Sequence, residues 1–191
     1  TPTLKMFEDT TAELLRILLN NTRIKSREAV ASLPAFSAFV TLLEIPVMPK
    51  EDLAKTMQYQ ARQYIPLPLS EVSLDWTVVG ERETQEGIKK QQVLLISVPT
   101  EIIRKYQSIF KIAGLNLIAL EVETVSSART LVGTDPVLTL ILDIGARSTS
   151  ISLVERGFLK TTAVFDMAGA NLTQAIANGL GINVRRAEDL K

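Results

Sequence analysis

The run Val137-Leu138-Thr139-Leu140-Ile141-Leu142 is almost unbroken in apolar residues and stops at Asp143-Ile144-Gly145. A strand that is apolar on both faces belongs inside a covered sheet. The run therefore predicts a buried central strand and a layered architecture. After Ala146-Arg147, a second strand is expected over 148–154, with Thr149, Ile151 and Leu153 at alternate positions. An Asp, a Gly and two hydroxyl residues thus fall in one tight strand–turn–strand hairpin. Gly145 lets the backbone approach an anion closely and can adopt positive φ. Turn amides pointing one way form an anion nest, and Ser148 and Thr149 add hydroxyl donors. Asp143 can hold a hydrated Mg²⁺ carried by phosphates. An ordinary hairpin also favours Asp and Gly, so spacing alone leaves both readings open.

Composition removes many chemistries. The 191 residues contain no Cys and no His, which excludes disulfides, thiolate zinc sites, Cys nucleophiles and His-based triads or metal sites. Lys plus Arg number 21 against 21 Asp plus Glu, so the basic surplus of a nucleic-acid binder is missing. No apolar run approaches the roughly 18–20 residues that span a bilayer, and no signal peptide is visible. The chain opens at Thr1 rather than Met and is read as a piece of a longer protein.

Along the chain, TTAELLRILL (10–19) predicts an amphipathic helix with Thr10 or Thr11 as its cap. Strands are expected at 29–33 and 36–45. Pro49 opens a helix carrying Leu53, Met57, Ala61 and Tyr64 at helical spacing, which Pro66 and Pro68 end. Val72, Leu74, Trp76 and Val78 alternate with polar residues as a half-buried strand. Residues 80–91 read as a charged hairpin tip, and 93–98 as a buried strand. Residues 100–113 form a helix with a continuous apolar stripe, stopped by Gly114. A strand at 117–122 and a short helix at 124–131 follow. Beyond Gly133–Pro136 come strands at 148–154 and 158–164 and helices at 169–180 and 184–191, the last capped by Asn183. The N-terminus of the 169–180 helix is a second possible phosphate-facing end. Simple packing explains it as well. Glu188 and Lys191, at i and i+3, form either a surface ion pair or a polar pair presented to a ribose or base.

These pieces resemble the actin-like ATPase superfamily. LDIGARSTSISLVERG is similar to its second phosphate motif, and GANLTQAIANGLGINVRRAEDLK to the region that follows in bacterial members. ASLPAFSAFVTLLEIPVMPKEDLAKTMQYQARQYIPLPLSEVSLDW and IFKIAGLNLIALEVET narrow the resemblance to PilM-type pilus-assembly proteins, related to FtsA. The resemblance implies an α/β, actin-like (ribonuclease-H-like) core in part, with an inserted α+β subdomain. Residues 1–36 and 120–135 would be the remnant of the first core subdomain. Residues 37–119 would be the insert, and 136–191 the start of the second core subdomain.

Carried over by resemblance, Asp143, Gly145, Ser148 and Thr149 would contact phosphate and, through water at Asp143, Mg²⁺. Gly169 would lie at the same site, with Glu188 and Lys191 near ribose and adenine. Ala146 and Arg147 stand where FtsA-type relatives often carry further glycines. The superfamily's first phosphate motif and adenosine motif are missing here. ATP and Mg²⁺ are therefore expected in the full-length protein and weakly or not at all in this piece. No catalytic residue is assigned, and the full-length protein is expected to be at most a weak ATPase. The resemblance further implies a cytoplasmic scaffold, peripheral to the inner membrane. It would bind the tail of a PilN-like membrane protein and other pilus assembly proteins, with no nucleic acid and no span of its own. An FtsA-like cell-division protein and a small-molecule kinase are the alternatives.

Overall fold

The computed structural model describes residues 7–22 and 24–191, which divide into two compact units, Thr1–Ser126 and Ser127–Lys191. In the first unit, helix α1 (Glu8–Asn21) precedes strand β1 (Glu28–Leu33). Strand β1 pairs in parallel with the distant β5 (Asn116–Val122). Between them lie β2 (Phe39–Pro46), α2 (Lys50–Tyr64), β3 (Val72–Glu83), β4 (Lys89–Pro99) and α3 (Thr100–Ile112). These three strands make an antiparallel sheet in the order β2-β4-β3, so β4 is central and β3 lies at an edge.

The two faces of that sheet carry different cores, as the two-residue side-chain period requires. On one face Leu43, Val93 and Leu95 pack against Leu53, Met57 and Ala61, the apolar stripe of α2. On the other, Val98 joins Leu33, Val122 and the α3 residues Ile102 and Tyr106. A third cluster of Ala12, Ile109 and Ala113 fixes α1 to α3. Pro49 precedes α2, and Ile65 ends it just ahead of Pro66.

Several expectations shift. Helix α1 begins at Glu8, and Thr11 is not its cap: its hydroxyl donates back to the Phe7 carbonyl at 2.9 Å. Residues 35–37 form a 3₁₀ turn, so β2 starts only at Phe39. The supposed hairpin tip at 80–91 is mostly strand. Glu81, Arg82 and Glu83 pair with Gln91, Lys90 and Lys89, leaving a turn at 84–88. Arg82 and Gln92 both donate to the Glu44 carboxylate, at 3.3 and 3.2 Å, so polar side chains stitch the ladder there.

In the second unit, α4 (Glu123–Ser127) runs across the division into a π-helical turn at Ala128–Val132. Three antiparallel strands follow in the order β6-β7-β8: Thr139–Ile144, Thr149–Glu155 and Phe158–Phe165. Helices α5 (Gly169–Leu180) and α6 (Val184–Leu190) close the unit, with Asn183 capping α6 through the Arg186 amide at 2.9 Å. Strand β6 was expected in the middle of a sheet but lies at an edge. Among the described residues its strand partner is β7, and Leu140, Leu142 and Ile144 are exposed along one face.

Among the described residues no helix is long and apolar enough to cross a membrane.

Candidate functional site

The hairpin register decides which side chains share a face. Asp143 lies opposite Ser150, and Ile144 opposite Thr149. With a period of two, Asp143 and Ser150 project to one side of the sheet and Thr149 to the other. The spacing in DIGARST brings Asp143 and Thr149 close in sequence but does not bring their side chains together. Ser150, buried and facing with Asp143, was missed by the sequence reading. Finding it requires the register across the turn.

The turn at 145–148 is closed by the Gly145 amide donating to the Ser148 carbonyl at 3.0 Å. Gly145 does not use positive φ here. Its glycine serves closeness, because a Cβ would sit 3.0 Å from the Ser148 carbonyl oxygen, which would have to give by a few tenths of an ångström. Among the described residues, the Ala146 and Ser148 amides carry no hydrogen bond. Both belong to the turn that follows the exposed Asp143, in which residues 145–147 are exposed and Ser148 is partly so. Thr149 is committed elsewhere, its hydroxyl donating to the Met167 carbonyl at 2.6 Å.

Helix α5 crosses directly onto this turn. The Gly169 amide donates to the Gly145 carbonyl and the Ala170 amide to the Ala146 carbonyl, both at 2.9 Å. A Cβ on Gly169 would meet the Gly145 carbonyl oxygen at 3.3 Å and Lys191 Nζ at 3.2 Å. The first two amides of α5, normally the orphan donors of a helix start, are thus spent on the turn. Gly169 acts in this structure as the contact point between helix and hairpin.

Glu188 and Lys191 pair at 2.7 Å, and both reach the N-terminal part of α5, Lys191 at Gly169 and Thr173 and Glu188 at Thr173. Lys191 Nζ donates to the Thr173 hydroxyl at 3.1 Å and the Gly169 carbonyl at 3.3 Å. The buried Thr173 hydroxyl lies within reach of both the Gly169 carbonyl and the Glu188 carboxylate. It has one hydrogen, and the charged acceptor is the stronger. Thr173 is a second residue that the sequence reading passed over. Its position four residues after Gly169 was the available signal. Hydrogen bonds from Lys191 first, and Thr173 second, hold the Glu188 carboxyl below its ordinary range.

That lowering has a measurable sign. Above the ordinary midpoint of 4.5 the network is fully charged, and its contribution fades as pH falls through the lowered midpoint. A carbon-detected NMR titration should place Glu188 below 4.5, and Lys191→Met should raise it towards that value. An unmoved midpoint in the variant would show that Lys191 is not the cause.

The donor set suits a phosphate-borne cation better than a protein-held one. Among the described residues, no group of three or more Asp or Glu side chains converges. A hydrated Mg²⁺ taking one carboxylate through water and its other ligands from phosphates matches Asp143 with two free amides nearby.

The profile of the family described as type IV pilus assembly protein PilM matches residues 4–191. The chain belongs to this family. Among solved structures, the PilM–PilN type IV pilus biogenesis complex is similar, with a TM-score of 0.82 and 27% identity over 100% of this chain. The chain spans 60% of that PilM-family structure's chain. The cytoplasmic domain of EpsL, an inner-membrane component of the Vibrio cholerae type II secretion system, matches at TM-score 0.60 and 15% identity. That alignment takes in 90% of this chain and 63% of the other. MreB5 of Spiroplasma citri bound to ADP matches at TM-score 0.53 and 14% identity, over 100% of this chain and 43% of that one. The fold of this PilM-family chain is accordingly the actin-like α/β fold.

Proposed function

We propose that the protein is a scaffold of the type IV pilus assembly complex at the cytoplasmic face of the inner membrane, and that it captures the cytoplasmic tail of a PilN-like membrane protein. In this reading 37–119 is an inserted subdomain, 1–36 with 120–135 belongs to the first core subdomain, and 136–191 begins the second. The observation that carries the proposal is a cleft of about 330 Å³ within the first unit. Its walls include Leu94, Ile96 and Val98 of β4 and Leu120 and Val122 of β5. An apolar trough beside an edge strand suits an extended peptide, which supplies side chains to the trough and backbone groups to the edge. The PilM–PilN complex supports the choice of partner by likeness.

The test is calorimetric titration of the full-length protein with a PilN-like N-terminal peptide. We expect saturable binding that Ser73→Trp, placed on the exposed cleft wall, weakens at least tenfold. Absence of binding to the wild-type protein would remove the proposal.

The second unit supplies, in the same reading, one wall of a nucleotide cleft. The Ala146 and Ser148 amides, with Asp143, would face a Mg²⁺-bound polyphosphate. Gly145 and Gly169 would keep backbone close to it, with Ser148 flanking, while Thr149 would support the turn from the opposite face through the Met167 carbonyl. Glu188 and Lys191 would approach the ribose and adenine. Because the opposite wall lies outside these residues, this chain alone should bind ATP weakly or not at all. A micromolar affinity measured on the 191-residue chain would contradict that expectation.

A further inference from the structure

The cleft in the first unit is not only apolar. Ser73, Asp75 and Thr77 of β3 stand opposite Val98, Ile96 and Leu94 of β4, so all six project to the same face of the sheet. Because β3 is the edge strand, the three polar positions form a rim along one side of the trough. Asp75 is exposed, and its Oδ1 accepts from the Trp76 amide at 2.8 Å, which fixes the carboxylate's position on that rim. The remaining charged residue of the lining is Glu121, on β5. Among the described residues that line the cleft there is no Lys or Arg. The trough therefore presents apolar walls with one exposed carboxylate on its rim, that of Asp75, while Glu121 has an interaction of its own.

We propose that Asp75 makes this cleft selective for an extended peptide that carries a Lys or Arg beside its apolar anchors. A carboxylate beside low-dielectric walls acts over a longer reach than in water and favours the opposite charge, while setting a cost against acidic competitors. A cytoplasmic segment next to a membrane span meets that description, since short cytoplasmic flanks are enriched in Lys and Arg. The inference rests on the tail-binding reading above and adds the chemistry by which the tail is chosen. Asp75 makes the direct ion pair.

The experiment uses the full-length protein and two synthetic tail peptides that share their apolar residues, one with its Lys and Arg intact and one with these replaced by Gln. Wild-type protein should bind the basic peptide about fivefold more tightly at low salt, the scale of an exposed charge pair, with the gap closing as salt rises. Asp75→Asn should weaken the basic peptide by about the same factor and leave the Gln peptide unchanged. Ser73→Trp should weaken both alike, and circular dichroism should show both variants folded. Equal response of the two peptides to Asp75→Asn, while Ser73→Trp still blocks both, would overturn charge selection and leave the tail-binding reading standing. If neither peptide binds the wild type, both readings fall. If Ser73→Trp leaves both affinities unchanged, the tail binds elsewhere and this selection is disproved.

Discussion

Gly157→Ala is expected to destabilise the second unit by about 2–4 kcal/mol, read as a shift in the chemical-denaturation midpoint. Gly157 forms, with Arg156, the two-residue turn between β7 and β8, and both carry positive φ, at 74° and 53°. An alanine there meets two separate costs. The left-handed backbone disfavours any Cβ by about 1 kcal/mol. The new Cβ would also stand 2.5 Å from the Gly133 carbonyl oxygen, closer than any real contact, and its neighbour is backbone rather than a yielding side-chain tip. Gly181 separates the two costs. It follows α5 at φ +60°, yet a Cβ built there meets nothing within 4 Å. Gly181→Ala should therefore cost only about 1 kcal/mol, the conformational part alone. Equal losses at the two sites would mean that the Gly133 contact relaxes freely and contributes nothing.

Leu95→Ala should cost about 3 kcal/mol in the first unit. Leu95 is wholly buried on the central strand β4, between Thr41 of β2 and Trp76 of β3, and faces the Met57 stripe of α2. Truncation removes its apolar burial and opens a cavity walled by two sheet neighbours and a helix, which cannot collapse together. Trp76, the single tryptophan of the chain, packs against the same cluster and reports the loss through its fluorescence. Leu74→Ala, on the same face of β3 as Trp76 but only partly buried, serves as the lighter comparison. A Leu95→Ala midpoint matching that of Leu74→Ala would show that this core is not the close-packed one described.

Much of this fold is legible in the sequence because strong local rules agree. The α5 helix has the expected bounds, since Ala168-Gly169 starts it and Gly181 stops it. The α3 stripe packs as its spacing predicts. What stays hidden is set by distant residues. Glu81 to Glu83 and Lys89 to Lys90 look like a solvated loop, yet cross-strand pairing keeps them in the ladder. The apolar run 137–142 reads as a central strand, whereas its ladder partner among the described residues is β7 alone, and hydropathy carries no information about neighbours. The candidate site divides in the same way. Asp143, Gly145 and Ser148 cluster because they share one short turn. The opposed faces of Asp143 and Thr149, the place of Ser150, and the locking of Gly169 onto Gly145 depend on register and on a helix crossing.

The parallel pairing of β1 with β5 also sets an order of events during folding. Everything from residue 34 to residue 115 hangs between two adjacent strands. Joining those strands closes a very long loop, and the entropy of that closure must be met before a single rung of the ladder is formed. The β3–β4 hairpin with its α2 partner relies on much shorter separations. It is therefore expected to assemble early and draw the two distant strands together. The β1–β5 ladder would then be a late event, with little influence on the folding rate and a large one on how fast the chain comes apart.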